Sequence, residues 1–287
     1  MKRLLFLFVA FLFVLSVGII DYCSDESYAN NDLSGFCGDN CWYNINTTTW
    51  SVYIGGSGEM CSFDIAGSPW QYYPIVSATI GDSVTSVSAM AFCTCSSLSS
   101  VTLGKSVQEI GAFAFADCTS LSSINIPESV LNIDSLAFSN CSSLTSITIP
   151  KFVTSLGVAA FGGCTSLSTV IIGESVTSLG ELVFSDCTNL SSIDLGTSIT
   201  TIGRDSFSRC TSLKSLVIPD SVLSIGDYSF SDCTNLSSIT FGSSVQDIGA
   251  EVFCGCESLA NIIVSEKNDI YRSVDGVLFD IFHSQLL

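Results

Sequence analysis

Apolar residues recur along this chain with a period of 23 that holds through eight consecutive units. The first column of the period is Val84, Val107, Val130, Val153, Val176, Ile199, Val222 and Val245. Three residues on comes a second apolar column, from Val87 and Ile110 to Ile248. Phe fills a third without exception, from Phe92 and Phe115 to Phe253, and Cys a fourth, from Cys95 and Cys118 to Cys256. Leu98 to Leu259 make the fifth, and two further apolar columns run from Val101 to Ile262 and from Leu103 to Val264. No insertion or deletion breaks the step, so one element is used eight times.

The unit reads Val-x-x-Ile-Gly-x-x-x-Phe-x-x-Cys-x-x-Leu-x-x-Ile-x-Ile. Its last segment alternates with period two, which predicts a short strand. Pro127, Pro150 and Pro219, or Gly104, Gly173, Gly196 and Gly242, then close the strand, because proline cannot continue a ladder. Gly also follows the second column, at Gly111, Gly157, Gly180, Gly203, Gly226 and Gly249, with Ser88 and Asp134 as exceptions. A turn with positive φ is expected there. One unit cannot bury its own apolar side, whereas stacked units cover one another. The pattern therefore predicts a repeat solenoid over 83–265, built of eight 23-residue units with short parallel strands and turns. Such a core needs no cofactor.

Ahead of the repeats, 19–82 reads as a flanking cap. Cys41–Ile45 and Trp50–Ile54 surround the polar turn Asn46-Thr47-Thr48-Thr49, the pattern of a β-hairpin, whose expected task is to cover the open end of the first repeat. At the start, Met1-Lys2-Arg3 precedes the apolar run Leu4 to Ile20, with Ser16 and Gly18 where a signal peptidase needs small residues. Residues 1–18 are thus expected to be a secretory signal peptide. An uncleaved signal anchor is the competing reading, since a run of roughly 17–25 apolar residues can span a bilayer. No second hydrophobic span follows, so the cleaved chain is expected to be secreted or at the cell surface, with no membrane insertion.

Composition narrows the partners. Of 287 residues 47% are hydrophobic and only 13% charged, with 9 basic against 27 acidic side chains and a net charge of −18. Nucleic acids and anionic membranes are held by Lys and Arg, so neither is an expected partner. Secretion permits disulfides, but an in-register cysteine ladder points its side chains in parallel and does not offer the required dihedral. The ladder is expected to consist of buried, reduced thiols. Cys23, Cys37, Cys41 and Cys61 in the flank allow two disulfides in any of three pairings. Cys93 and Cys254 share a column read as outward, seven rungs apart, with Cys93 in possible reach of a flank cysteine. Cys93-x-Cys95 and Cys254-x-Cys256 lack adjacent His or Cys partners, so no metal site is assigned. The one histidine is His283, near the end, which leaves nucleophilic triads without their usual base. No phosphate loop or zinc signature occurs, and no catalytic or cofactor-binding residue is assigned.

Repeat 7, Ser221-Val-Leu-Ser-Ile-Gly-Asp-Tyr-Ser-Phe-Ser-Asp-Cys-Thr-Asn-Leu, resembles the BspA-like leucine-rich repeat. The flanks are similar to that family's as well, through Cys37-Gly-Asp-Asn-Cys-Trp42, Val52-Tyr-Ile-Gly-Gly-Ser-Gly-Glu-Met60, Ser68-Pro-Trp70 and Tyr271-Arg-Ser-Val-Asp-Gly-Val-Leu-Phe279. The resemblance covers roughly residues 35 to 280. It implies a curved, right-handed leucine-rich-repeat solenoid that binds or adheres to an extracellular or host-cell protein or glycan. Cys41 and Cys61 depart from the family pattern. The chain also stops soon after Phe279, where the resemblance implies a further strand, so the C-terminal cap unit, 266–287, is expected to be incomplete.

The candidate ligand face is the strand face, where residues beside the Val101–Ile262 column point outward. It comprises Ser100, Thr102, Ser123, Asn125, Ser146, Thr148, Thr169, Ser192, Asp194, Ser215, Ser238 and Thr240, with Ile171, Val217, Asn261 and Ile263 between them. Solenoids use such extended faces for ligands. This one is nearly uncharged and lacks the aromatic and Arg anchors that dominate most interfaces. That leaves weak multivalent contact, or a face that is merely solvated. The alternative function is a structural surface coat without a single ligand. Asn46-Thr47-Thr48, in a predicted turn, is the best candidate for N-glycosylation.

Overall fold

The computed structural model describes residues 33–64 and 67–280. Residues 1–18, expected to be a signal peptide, lie outside the described residues, as do Cys23 and His283. Each 23-residue period forms one coil, and apolar columns from successive coils meet in a continuous core of buried Val, Ile, Phe, Cys and Leu. The fold is a β-solenoid of about nine turns, with no helix among the described residues.

Two sides of the coil carry strands. The predicted strands form the front face, among them Ser100–Thr102, Ser146–Thr148, Thr169–Ile171, Ser192–Asp194 and Ser215–Val217. They pair in parallel one period apart, as in Thr169 with Ser146 and with Ser192. At Ser123–Asn125 the pairing shrinks to one bridge between Thr102 and Asn125, and the front face divides into three sheets. The back face was not foreseen. Two-residue strands such as Glu109–Ile110 and Ser178–Leu179 run there as one unbroken eight-stranded parallel sheet. A strand of two residues is too short to show a period in the sequence.

The third side is a turn that places two left-handed residues in each of the eight repeat coils. The first column runs Met90, Phe113, Leu136, Ala159, Leu182, Asp205, Tyr228 and Glu251, and the second Thr94, Asp117, Asn140, Gly163, Asp186, Arg209, Asp232 and Gly255, all with positive φ. The left-handed conformation costs an ordinary residue roughly 1–2 kcal/mol. What sustains it is a ladder between coils: Phe113, Phe115 and Asp117 N–H groups donate to Ser135, Ala137 and Ser139 carbonyls at 3.1, 2.8 and 2.8 Å. The glycines after the second column therefore do not serve the role expected of them, since none of Gly111, Gly157, Gly180, Gly203, Gly226 or Gly249 has positive φ. They let coils approach. A Cβ at Gly157 would lie 2.3 Å from Ser135 N, and one at Gly203 would lie 2.7 Å from Leu179 O.

Inside, the Phe column stacks face to face. Centroid spacings run from 5.2 Å between Phe138 and Phe161 to 5.9 Å between Phe230 and Phe253. Phe92 to Phe230 are fully buried, and Phe253 in the last coil is half-buried. Trp70 heads the stack, 5.4 Å from Phe92, with its indole N–H donating to Ala91 O at 2.8 Å. Tyr43 and Phe63 meet Trp70 edge-on, each at 5.4 Å.

That arrangement places a further coil in the flank. Strands β1 (Ser34–Phe36), β2 (Cys41–Asn46) and β3 (Ser51–Gly56) are antiparallel, β2 and β3 forming the expected hairpin. β3 then pairs in parallel with β4 (Ser77–Ile80), which pairs with Ser100–Thr102. Ile75, Ala78 and Ile80 are buried one period before Leu98, Val101 and Leu103, so the solenoid starts a coil earlier than its Phe and Cys columns. At the other end, Asn268 occupies the Val column. Its amide donates to Gly242 O and Val245 O at 3.2 and 3.0 Å, and its oxygen accepts from Ile270 N and Tyr271 N at 2.9 and 2.7 Å. Strands Tyr271–Val274 and Val277–Asp280 complete a closing hairpin.

The ladder cysteines are free thiols, buried from Cys95 to Cys233. Each from Cys118 to Cys256 donates to the carbonyl of the Phe in the coil before it, as Cys164 does to Phe138 O at 3.2 Å. The flank differs from the expectation of two disulfides. Cys61 is disulfide-bonded, but Cys37 and Cys41 are free and fully buried in the cap. Alternation along β2 turns Cys41 inward, where its thiol sits 3.5 Å from Ser57 O. Cys93 is also free, so it does not join a flank cysteine. Nor is its column outward. Ser139, Ser185, Ser208 and Ser231 of the same column are buried between coils, and only the terminal coils leave Cys93 half-buried and Cys254 exposed.

Candidate functional site

The front face gathers the predicted ligand residues into straight rows. Thr148, Ile171 and Asp194 stand side by side, as do Ser215, Ser238 and Asn261, and Val217, Thr240 and Ile263. Neighbouring strands in a sheet are about 4.8 Å apart, so each row is a regular track across the coils. Ser100, Thr102, Ser123, Asn125, Ser146, Thr148, Thr169, Ser192, Asp194 and Ser215 are exposed, while Ser238 and Thr240 are half-covered. The face is not purely polar, because Val217 is 66% exposed and Ile263, two strands along the same row, 52%. Asp194 supplies its charge, and also accepts a hydrogen bond from Gly196 N at 2.9 Å that shapes the end of its strand.

β1 to β4 lengthen this face beyond the repeats. Outward residues Trp42 and Tyr53 lie 5.4 Å apart, with Phe36 paired opposite Trp42. Their orientation follows from the burial alternation of β2, in which Cys41, Tyr43 and Ile45 point in. The sequence marks neither that alternation, since Trp42 is itself apolar, nor the parallel join of β3 to β4 that makes these rings part of the front face. Asn46 sits exposed at the end of β2. Its side-chain oxygen accepts from Thr48 N at 2.9 Å and Thr49 N at 3.1 Å, so it caps the turn expected there.

The back face holds a shallow groove of about 400 Å³ that sequence reasoning missed. Gly180, Gly203 and Gly226 floor it, with Ser178, Thr201 and Ser224 on one side and Glu181 and Arg204 on the other. Arg204 is engaged, its Nε 3.2 Å from Asp205 Oδ2 and its guanidinium 5.4 Å from the Tyr228 ring. The Glu251 carboxylate raises the pKa of the Tyr228 hydroxyl, keeping it protonated. On the turn side, Arg209 grips Asp186 with two bonds, Nε to Oδ1 at 2.5 Å and Nη2 to Oδ2 at 2.7 Å.

None of the buried thiols is poised for nucleophilic chemistry. Burial pushes the Cys118, Cys141 and Cys187 thiols well above their ordinary value and Cys164 to about 12, so they stay protonated at neutral pH. Cys93 is pushed to about 11, by burial first and the Asp117 carboxylate second. Among the described residues, no group of three or more His, Cys, Asp or Glu side chains is placed to hold a metal ion.

The BspA-type leucine-rich-repeat region model matches residues 65–191 and 183–274, in six copies. Among solved structures, the chain is similar to a leucine-rich-repeat protein from Bacteroides ovatus, with 26% identity and a TM-score of 0.56 over 80% of this chain and 71% of that one. It is also similar to the leucine-rich-repeat protein of T. pallidum, with 26% identity and a TM-score of 0.51 over 76% of this chain and 86% of that one. No curated protein matches the sequence. From its repeat and its coil alike, the chain belongs to the BspA-type leucine-rich-repeat family.

Proposed function

We propose that this protein is a secreted or cell-surface recognition protein that binds an extracellular protein or glycan through its front face. The observation that carries the reading is the front face itself. Small exposed side chains stand in register across successive coils, and the exposed apolar residues Ile171, Val217 and Ile263 are set among them. A ligand that lies along the rows collects many weak contacts at once, which raises avidity without any deep pocket. The signal segment and the surplus of acidic side chains fit an extracellular setting and a partner that is neither nucleic acid nor membrane.

The test is binding of the secreted chain to a panel of cells and extracellular-matrix proteins, beside a variant with Ser146, Thr148, Ser192 and Asp194 all changed to Lys. Saturable binding by the parent, lost in a variant that keeps its circular dichroism and melting curve, is the expected result. Absence of binding by the folded parent, or self-association in its place, would remove the recognition reading in favour of a structural coat.

A further inference from the structure

The N-terminal end of the front face carries features that the repeats lack. Phe36, Trp42 and Tyr53 are 63%, 42% and 43% exposed on one side of one sheet. Large apolar side chains collected on an exposed face usually mark a contact site. The Trp42 indole lies flat across Gly55, where an added Cβ would be 2.3 Å from Cζ2. Glycine at 55 thus makes room for the ring to lie down and present its face to solvent. The Tyr53 ring is tilted 46° to it, so the two rings make a shallow, open angle.

The rows beside the rings are polar and uncharged; past Gly81, which the Tyr53 hydroxyl approaches, Asp82 and Lys105 form an exposed ion pair 3.0 Å apart. One row crosses the strands as Ser34, Asn44, Tyr53, Thr79 and Thr102, each residue directly opposite the next. A second runs through Asn46, Ser51, Ser77 and Ser100. The rows and rings bear no charge, although the whole chain is at −18. The ligand that suits such a surface is itself neutral, with apolar faces to lie on aromatic rings and hydroxyl groups to meet amides and hydroxyls. A pyranose ring has both, its axial C–H bonds on one face and its hydroxyls around the rim. A linear chain of them laid across the strands would offer about one unit for each rung of roughly 4.8 Å. Protein anchors favour Arg and enclosed, well-packed rings, and here Phe36 is the one large neighbour, itself exposed, while Gly55, Asn44 and Thr79 are too small to enclose the rings.

We infer that the Trp42–Tyr53 platform, continued by the Asn44, Thr79 and Thr102 row, is a docking site for a neutral polysaccharide. The inference rests on the front-face reading and gives it a ligand class and an anchoring end.

The test is affinity electrophoresis of the secreted chain through gels holding mixed-linkage β-glucan, xyloglucan, galactomannan or soluble starch, with alginate as the charged control. Tryptophan fluorescence titration runs in parallel. At least one neutral polymer is expected to retard the protein, alginate less, and Trp42→Ala or Tyr53→Ala to weaken binding about tenfold each. Trp42→Phe, which keeps an aromatic face and guards against a folding defect, should retain most of it. No retardation by any neutral polymer, or equal retardation of the Trp42→Ala/Tyr53→Ala double variant, would overturn the assignment. So would a concentration-dependent dimer that Trp42→Ala abolishes, since the rings would then be covered by a second copy. Cell or matrix binding that the four-lysine variant loses while the ring variants keep it would reject the polysaccharide site and leave front-face recognition standing.

Discussion

At the scale of single residues, the solenoid tolerates little that breaks its columns, and the exceptions can be tested. The column just before Phe is Ala at 91, 114, 137 and 160 but Ser at 206 and 229. Both Ser hydroxyls are fully buried and have no hydrogen-bond partner. A buried hydroxyl without a partner is a net cost, and removing it leaves a side chain this column already accommodates elsewhere. Ser206→Ala and Ser229→Ala are therefore each expected to stabilise the fold, by about 1 kcal/mol. Urea unfolding would check this, and lower midpoints in both variants would show that the hydroxyls are satisfied in solution. The Cys ladder makes the complementary point. Its thiols are buried but not orphaned, because each from Cys118 onward donates to a Phe carbonyl one coil back.

Among elements, the closing cap concentrates its work in one side chain. Asn268 is buried and satisfies two carbonyls of the last full coil along with two N–H groups of the closing hairpin. Asn268→Ala would strand several of these groups, so a loss of roughly 2–3 kcal/mol is expected. Proteolysis should then begin near Tyr271–Asp280. A variant as resistant as the parent would show that the hairpin is held by its apolar contacts alone. Elements also divide what the sequence revealed from what it concealed. The period, the front strands and the β2–β3 hairpin were legible, because Phe92 to Phe253 mark the register and the polar turn Asn46-Thr47-Thr48-Thr49 separates two apolar segments. The back sheet was not, since Ser178–Leu179 and its counterparts are set by contact with neighbouring coils and not by local alternation. The glycine column misled for the same reason, because close approach between coils and a left-handed turn both select glycine. The Trp42–Tyr53 platform was hidden by a join, the pairing of β3 with β4, that no local pattern records.

For the whole molecule, the ladder couples stability to alkaline pH. Burial raises the pKa of the Cys118, Cys141, Cys164 and Cys187 thiols above the ordinary value of 9.0, with Cys164 at about 12. Below pH 9 both the folded and unfolded chains hold these protons, and the contribution is fully present. As pH rises from 9 towards 12, the unfolded chain releases protons that the folded ladder keeps, so stability falls by about 1.4 kcal/mol per thiol per pH unit. A Cys141→Ala/Cys164→Ala variant should therefore lose stability less steeply, by about 3 kcal/mol per pH unit relative to the parent. Denaturation midpoints from pH 8 to 11 under reducing conditions would measure it, and parallel slopes would mean the ladder thiols are not the source. The uninterrupted 23-residue step has a consequence for heredity. Excising one whole period from the middle would set Phe138 against Phe184 much as Phe161 meets Phe184 now, at 5.7 Å, and would leave both caps untouched. Loss or duplication of a repeat in the gene thus changes the length of the molecule while preserving its cross-section, so length can drift between generations while the fold is inherited intact.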